Sequence, residues 1–144
     1  MNQDIVAKAA EIINAKTGYI GGGMAGYAAL ALIDEDGYPT ASTLTIAKAD
    51  GIKWLTFATS LDRDSAQRIK NCNRASVCVN TSEYNITLVG TAEILTDPET
   101  KNDMWFPVMG SEWSGPDDPA YCVIRFTTKR YSLFVGYEEV KGTL

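Results

Sequence analysis

At 144 residues, with 45% apolar and 22% charged residues, the chain has the make-up of one globular domain large enough to bury a core. Its net charge of −5 speaks against a partner bound through a phosphate backbone, so no nucleic acid is expected. No run of about 18 apolar residues exists to span a membrane. Asp4, Lys8 and Glu11 break what would be the apolar core of a signal peptide, so the expectation is a cytoplasmic protein with no membrane partner.

Residues 3–15 place Ile5, Ala9, Ile12 and Ile13 at helical spacing, with Lys8 and Glu11 off that face, which predicts an amphipathic helix. Gly18 to Gly26 breaks the regularity. Tyr27 to Ile33 is short and apolar, a strand, and Asp34-Glu35-Asp36-Gly37 is a hairpin turn. Thr40 to Ala47 alternates, with Ala41, Thr43, Thr45 and Ala47 opposite Ser42, Leu44 and Ile46, and predicts a second strand. Lys48-Ala49-Asp50-Gly51 reads as another turn and Ile52 to Thr59 as a third strand. A helix over Ser65–Cys72 follows, then strands over Ala75–Asn80 and Thr87–Thr96. Asp97-Pro98-Glu99 combines a cap, a proline at the first helical position and an acid in the first turn, so a helix should run to about Phe106. Pro107 to Pro119 is rich in Gly, Pro, Asp and Ser and reads as loop. Tyr121–Thr127 and Tyr131–Gly136 close the chain as two strands. Together these predict an α+β, mainly β fold in one domain: a barrel of about six or seven antiparallel strands with short peripheral helices, because closure removes exposed edges.

The chain has no histidine. That removes the commonest general base, zinc ligand and haem ligand, and excludes Ser-His-Asp and Cys-His catalysis. Cys72, Cys78 and Cys122 form no C-x-x-C pair. Cys78 and Cys122 sit in strand-like runs and are expected to be buried packing, with Cys72 at a helix end. Asp34-Glu35-Asp36 and Asp117-Asp118 lack the alternating ligands and distal glutamate of a calcium loop, so they read as solvated turns and no metal is expected. Gly21-Gly22-Gly23-Met24-Ala25-Gly26 matches G-x-G-x-x-G in letters. A helix precedes it and a strand follows, the reverse of a dinucleotide-binding unit, so a connector fits better.

The strongest local signal is Trp54 to Ser60 running into Leu61-Asp62-Arg63-Asp64-Ser65 at a helix start. Such a start offers unpaired N–H groups and a partial positive charge to a phosphate. Thr59, Ser60 and Ser65 add hydroxyl donors and Arg63 a charged fork. The same residues also suit an ordinary capped strand-to-helix turn. Trp54 is expected to pack in the core or an interface. Trp113 stands in the polar loop Gly110-Ser111-Glu112-Trp113-Ser114-Gly115, where its ring must cover its own barrel, a partner subunit or a flat ligand.

Taken in order, these segments resemble a known family. They are Asp36-Gly37-Tyr38-Pro39 before the Thr40–Ala47 strand, Trp54 to Ser60, Asp64-Ser65, Val89-Gly90-Thr91-Ala92-Glu93-Ile94, Asp97-Pro98 with Trp105, and Asp118-Pro119 before Tyr121 to Phe126. The pattern resembles the FMN-binding split barrel of the pyridoxamine 5′-phosphate oxidase-like superfamily, in its short general stress protein branch, over residues 25–137. The resemblance implies a homodimer with two FMN sites in the grooves between subunits. It implies that Ser42, Thr43, Leu44 and Thr45 line the isoalloxazine ring and that Ala58, Thr59, Ser60 and Ser65 form the phosphate side. It implies an amide contact at Asn85, an aromatic contact at Phe134, and a Trp113 loop that reaches the partner's flavin. Where many members carry a phosphate-pairing lysine, this chain has Gln67, and a basic position in the Thr40–Thr45 strand is missing. Arg63, with Arg68 or Lys70, is the available compensation. The run Val140-Lys141-Gly142-Thr143-Leu144 lacks the basic segment that holds the substrate phosphate in a true pyridoxamine phosphate oxidase, so that activity is not expected.

The implied function is an FMN-dependent oxidoreductase acting on an unidentified small molecule, the flavin supplying the redox chemistry and the protein its placement. Tyr27, Tyr84 and Tyr121 are available as proton donors, and nothing in the sequence ranks them. The alternative is a non-catalytic, stress-related protein that stores or senses a flavin. A deazaflavin on the same barrel is a third reading.

Overall fold

The structure, a computed structural model, describes residues 2–17, 19–20, 23–24 and 26–144. Gly21, Gly22 and Ala25 of the glycine-rich motif lie outside the described residues. In chain order the elements are α1 (Asn2–Asn14), β1 (Tyr19–Ile20), β2 (Gly23–Met24), β3 (Tyr27–Ile33), β4 (Pro39–Thr45), β5 (Lys48–Ala49), β6 (Trp54–Ser60), α2 (Asp64–Asn71), β7 (Arg74–Asn80), β8 (Tyr84–Leu95), α3 (Pro98–Asp103), a 3-10 turn over Pro107–Ser111, β9 (Tyr121–Val135) and β10 (Glu138–Thr143).

Apart from the small β1-β2 pair, the strands form one eight-stranded antiparallel sheet in the order β4-β3-β7-β8-β9-β6-β5, with β10 also on β9. The two ends of that order, β4 and β5, are consecutive in the chain and joined only by Ile46 and Ala47. The sheet must therefore curl until its ends meet, and the result is a split barrel. The Ala47 N–H donates to Thr56 O at 2.8 Å and stitches that junction to β6. Inside, Leu30, Leu55, Phe57, Val77, Ile86, Leu88, Ile124, Phe126 and Leu133 are fully buried. Their alternation with outward residues is the period of a strand with one face on the core. Ile5, Ala9 and Ile13 of α1 join the same core, and the helix lies against β5, β9 and β10.

The centre of the sheet is β9. It pairs with β8 along its length, and on its other edge with β6 first and β10 afterwards. The β8 ladder slips between Val89 and Gly90. A Cβ at Gly90 would collide with the Thr127 carbonyl, so the close approach of the two backbones requires glycine.

Several boundaries differ from the sequence expectation. Tyr121 to Gly136 holds one strand rather than two, because Thr128-Lys129-Arg130 continues the ladder past the bulge instead of turning. Lys48-Ala49 is a short strand on β6, and the turn falls at Asp50 to Lys53. The helix at Asp97 ends at Asp103, short of Phe106. Glu138 to Thr143, which carries no apolar alternation, is a strand because the Gly136-Tyr137 turn folds it back on β9. Both residues have positive φ, 60° and 65°, as a type I′ hairpin demands. Cys122 is buried as expected. Cys78 is only half-buried, because it points outward from β7.

Candidate functional site

A cavity of about 650 Å³ opens on the outer side of the barrel. Its walls are Thr43, Leu44 and Thr45 of β4, Ala58, Thr59 and Ser60 of β6, Arg63 before α2, and Val108, Met109, Ser111, Glu112 and Trp113. Tyr27 and Ala47 complete it. Two edge features serve it. In the sheet β4 pairs only with β3, so the alternate backbone groups on its other side face away from the ladder. The start of α2 has Arg63 at its N-cap with no side-chain cap, which leaves the first helical N–H groups to a ligand or water. The turn before it is tight: Arg63 N–H donates to Ser60 O at 3.0 Å. Behind it, the Thr59 and Ser65 hydroxyls share a 3.2 Å hydrogen bond.

The far wall is built by the segment after α3. The 3-10 turn brings Met109 into the interior, 5% exposed, and both Glu112 N–H and Trp113 N–H donate to its carbonyl, at 2.9 and 3.1 Å. The Trp113 indole N–H then donates to Ser60 Oγ at 2.9 Å and bridges the wall to β6. Its ring tilts against Tyr121, centroids 5.2 Å apart, while Trp105 meets the same tyrosine edge-on at 5.3 Å. Trp113 thus covers its own chain's cavity.

Of the residues singled out in the sequence, Thr43, Leu44, Thr45, Ala58, Thr59, Ser60, Arg63 and Trp113 meet at this cavity. Ser42 is exposed on β4 beside it and Ser65 stands behind Thr59. Gln67 turns its amide to Leu61 O at 3.3 Å and supports the loop rather than the cavity. The two proposed helpers of Arg63 are engaged elsewhere: Arg68 pairs with Glu35 at 3.2 Å, and Lys70 lines a separate groove with Asn73 and Glu93. Asn85 and Phe134 are Cα partners on β8 and β9, away from the cavity lining. The Asn85 amide donates to Thr87 Oγ1 at 3.2 Å, and Phe134, 37% exposed, meets Tyr137 edge-on. Trp54 is half-buried beneath the Arg125 guanidinium, 4.8 Å from its ring centroid.

The structure ranks the three tyrosines. Tyr121 is fully buried, donates its hydroxyl to Lys101 O at 2.9 Å, and burial pushes its phenol up to about 12. Tyr84 sits near the Lys16 ammonium, outside the cavity. Tyr27 is 51% exposed and is the one of the three that lines the cavity. Burial likewise raises the Cys122 thiol to about 11 and leaves it inert. Among the described residues the titratable side chains lining the cavity are Tyr27, Arg63 and Glu112. No acid–base couple or activated nucleophile is among them, so the wall is suited to holding a ligand that brings its own chemistry. Among the described residues no group of three His, Cys, Asp or Glu is placed to hold a metal, and no helix is long and apolar enough to cross a membrane.

Ala47, Val108, Met109, Ser111 and Glu112 were missed as wall residues, and Tyr27 was named only as an available proton donor. The available signal was the apolar run Phe106-Pro107-Val108-Met109 inside an otherwise polar loop.

The sequence pattern described as pyridoxamine 5′-phosphate oxidase matches residues 24–134. No curated protein sequence matches the chain. A solved protein of Clostridium acetobutylicum, related to general stress protein 26 of B. subtilis, superimposes with a TM-score of 0.78 at 21% identity, covering 100% of this chain and 96% of that one. General stress protein 26 of Bacillus anthracis gives 0.71 at 18% identity, over 97% and 98% of the two chains. A heme binding protein of Mycobacterium smegmatis gives 0.70 at 20% identity, over 96% of this chain and 57% of that one.

Proposed function

The chain belongs to the pyridoxamine 5′-phosphate oxidase family, and from that premise we propose that it is an FMN-dependent oxidoreductase whose cofactor site lies at the seam of a homodimer. The observation that carries this reading is one cavity of about 650 Å³ that joins an edge strand, an uncapped helix start, a cation and a tryptophan face. That volume is in the usual range for small-molecule sites, roughly 300–1,000 Å³. Arg63 and the first turn of α2 suit a phosphate. The outer edge of β4 at Thr43 and Leu44 suits the polar edge of a flat ring, and Trp113 and Met109 shield it from water. FMN, when bound, supplies the electron transfer. The chain's own part is to orient the ring on Thr43 to Thr45, to neutralise the phosphate with Arg63, and to offer the Tyr27 hydroxyl at the rim.

One observation supports the dimer. Ala41, Ser42 and Thr43 are exposed on consecutive positions of β4, so both faces of that edge lack cover from their own chain. Light scattering at micromolar concentration should give twice the 15.7 kDa chain mass.

The decisive experiment is a fluorescence titration with FMN and riboflavin. Wild type should prefer FMN, and Arg63→Ala should lose about tenfold to a hundredfold in FMN affinity with riboflavin unchanged, the worth of a charge-assisted contact. Equal affinities would remove the phosphate site. The lack of an acid–base couple in the wall supports a second reading, a flavin-storing or flavin-sensing protein, and turnover with a reduced nicotinamide separates the two. The spectrum of the purified protein separates flavin from deazaflavin and from haem, whose iron would have to find Met109 or Tyr27 in place of histidine.

A further inference from the structure

Lys101 is the one charged side chain among the described buried residues, at 7% exposure. An apolar side chain would fill that place on α3 without the cost of desolvating an ammonium. Its Nζ donates to the Asp118 carbonyl at 2.9 Å and stands 5.3 Å from the centroid of the Tyr121 ring. Asp118 is the hub of the following turn. Its carboxylate accepts from Ser114 N–H at 3.0 Å, Ser114 Oγ at 3.2 Å and Ala120 N–H at 2.9 Å. Ser114 follows Trp113, whose indole N–H reaches Ser60 on the cavity wall. The circuit closes on the other side, where Tyr121 packs against Trp113 and returns its hydroxyl to the Lys101 carbonyl. The two ends of one buried lysine therefore hold both the turn and the ring on which Trp113 rests.

We propose that Lys101 is a positioning residue for the cavity: its ammonium fixes the Asp118 turn, and through it the Trp113 wall that a flat ligand contacts. The positional half stands on the contacts alone. The affinity half rests on the reading that the cavity takes FMN. Lys101→Met keeps the length and removes the charge and donor. The first readout is the Trp113 indole N–H resonance, identified by its loss in Trp113→Phe, and the second is the FMN dissociation constant. Lys101→Met should shift that resonance, speed its exchange with solvent, and weaken FMN about tenfold. In a double-mutant cycle, Trp113→Phe should cost little more once Lys101→Met is present, because both act through one wall. Asp118→Asn, at the half-exposed end of the circuit, should move the same resonance the same way, and it carries the test should Lys101→Met not fold. An unmoved indole in a folded Lys101→Met, or in Asp118→Asn when that variant stands in, overturns the proposal. So does a moved indole with unchanged FMN affinity, or additive losses in the cycle. If wild type binds no FMN, the cofactor reading fails by itself, and the indole arm still decides whether Lys101 positions Trp113.

Discussion

The two ends of β9 are the same strand under different cover. From Tyr121 to Ile124 every residue is buried, so both faces of the sheet are covered. The inner face meets the barrel core, and the outer cover at Tyr121 is supplied by Trp105, Trp113 and the Lys101 ammonium of the same chain. From Arg125 onward the residues alternate, with an interruption at Lys129 to Ser132: Phe126, Thr128, Leu133 and Val135 are buried, while Thr127, Arg130 and Phe134 are exposed. The first end is finished by its own loops, and there the candidate cavity forms. The second end presents a sheet face without such cover, which is where the proposed second subunit belongs. Covering one end and leaving the other open turns a single strand into a ligand wall and a docking face.

The bulge at Gly90 interrupts that alternation, and breaking it should have the largest effect. Gly90→Ala pushes a methyl into the Thr127 carbonyl, a contact between backbones that no rotamer relieves. The expected loss is about 3 kcal/mol, the upper range for overpacking, seen as a lower urea midpoint. A wild-type midpoint would mean that β8 and β9 can separate there at little cost.

Phe134→Asp tests the open end. The ring is already 37% exposed, so the isolated chain should keep its stability within about 0.5 kcal/mol, as surface changes do. A charge at the centre of a subunit contact should cost roughly 2 kcal/mol or more of association. Sedimentation or light scattering should then show monomer at concentrations where wild type is dimeric. An unchanged dimer would place the interface elsewhere.

These two ends were not equally legible in the sequence. The barrel, its strand-rich order and a helix start at Ser65, one residue past the observed Asp64, followed from alternation and turn chemistry, since those signals are local. Thr128-Lys129-Arg130 is polar because it passes the bulge and then faces outward, and a polar triplet between apolar runs imitates a turn. Glu138 to Thr143 is an edge strand of polar residues and gives no periodic signal at all. At the site, Thr59, Ser60 and Arg63 were legible in one strand-to-helix segment, while Thr43 to Thr45 and Ala58 came from the family resemblance. Nothing local told that Lys101 turns inward or that Trp113 folds back on Ser60, a bond spanning much of the chain. Asn85 and Phe134 came only from the family resemblance.

Tyr121→Phe sharpens the covered end. It deletes the hydroxyl that donates to Lys101 O and keeps the ring between Trp105 and Trp113. Leaving that carbonyl without its buried donor should cost about 1–2 kcal/mol in urea denaturation. The Trp113 indole resonance should hold its position, since the ring contact is intact. A large shift would mean that the hydroxyl, rather than the ring, sets the wall.

The smallest effect is electrostatic and also belongs to the covered end. The Asp118 carboxyl is held below its usual 3.8 chiefly by the Ser114 backbone N–H, then by the Ala120 N–H, with the Ser114 hydroxyl and the Lys101 charge adding to them. The folded state thus favours the ionised form. The resulting stabilisation is complete above the unfolded value near 3.8 and is lost as pH falls through the lower folded value. Asp34, held down mainly by the Thr40 hydroxyl, and Asp97, held down mainly by Thr100, shift the same way, so global stability also declines in that window. The loop is separated from this background by its own reporter. Acidification below about pH 4, where ordinary carboxyls protonate, should move the Trp113 indole resonance before the core amides of β7 and β8 change. Asp118→Asn, neutral throughout, should show the moved position already at pH 7 and no further loop titration. Identical acid profiles for Asp118→Asn and wild type would show that the turn under Trp113 does not depend on that charge.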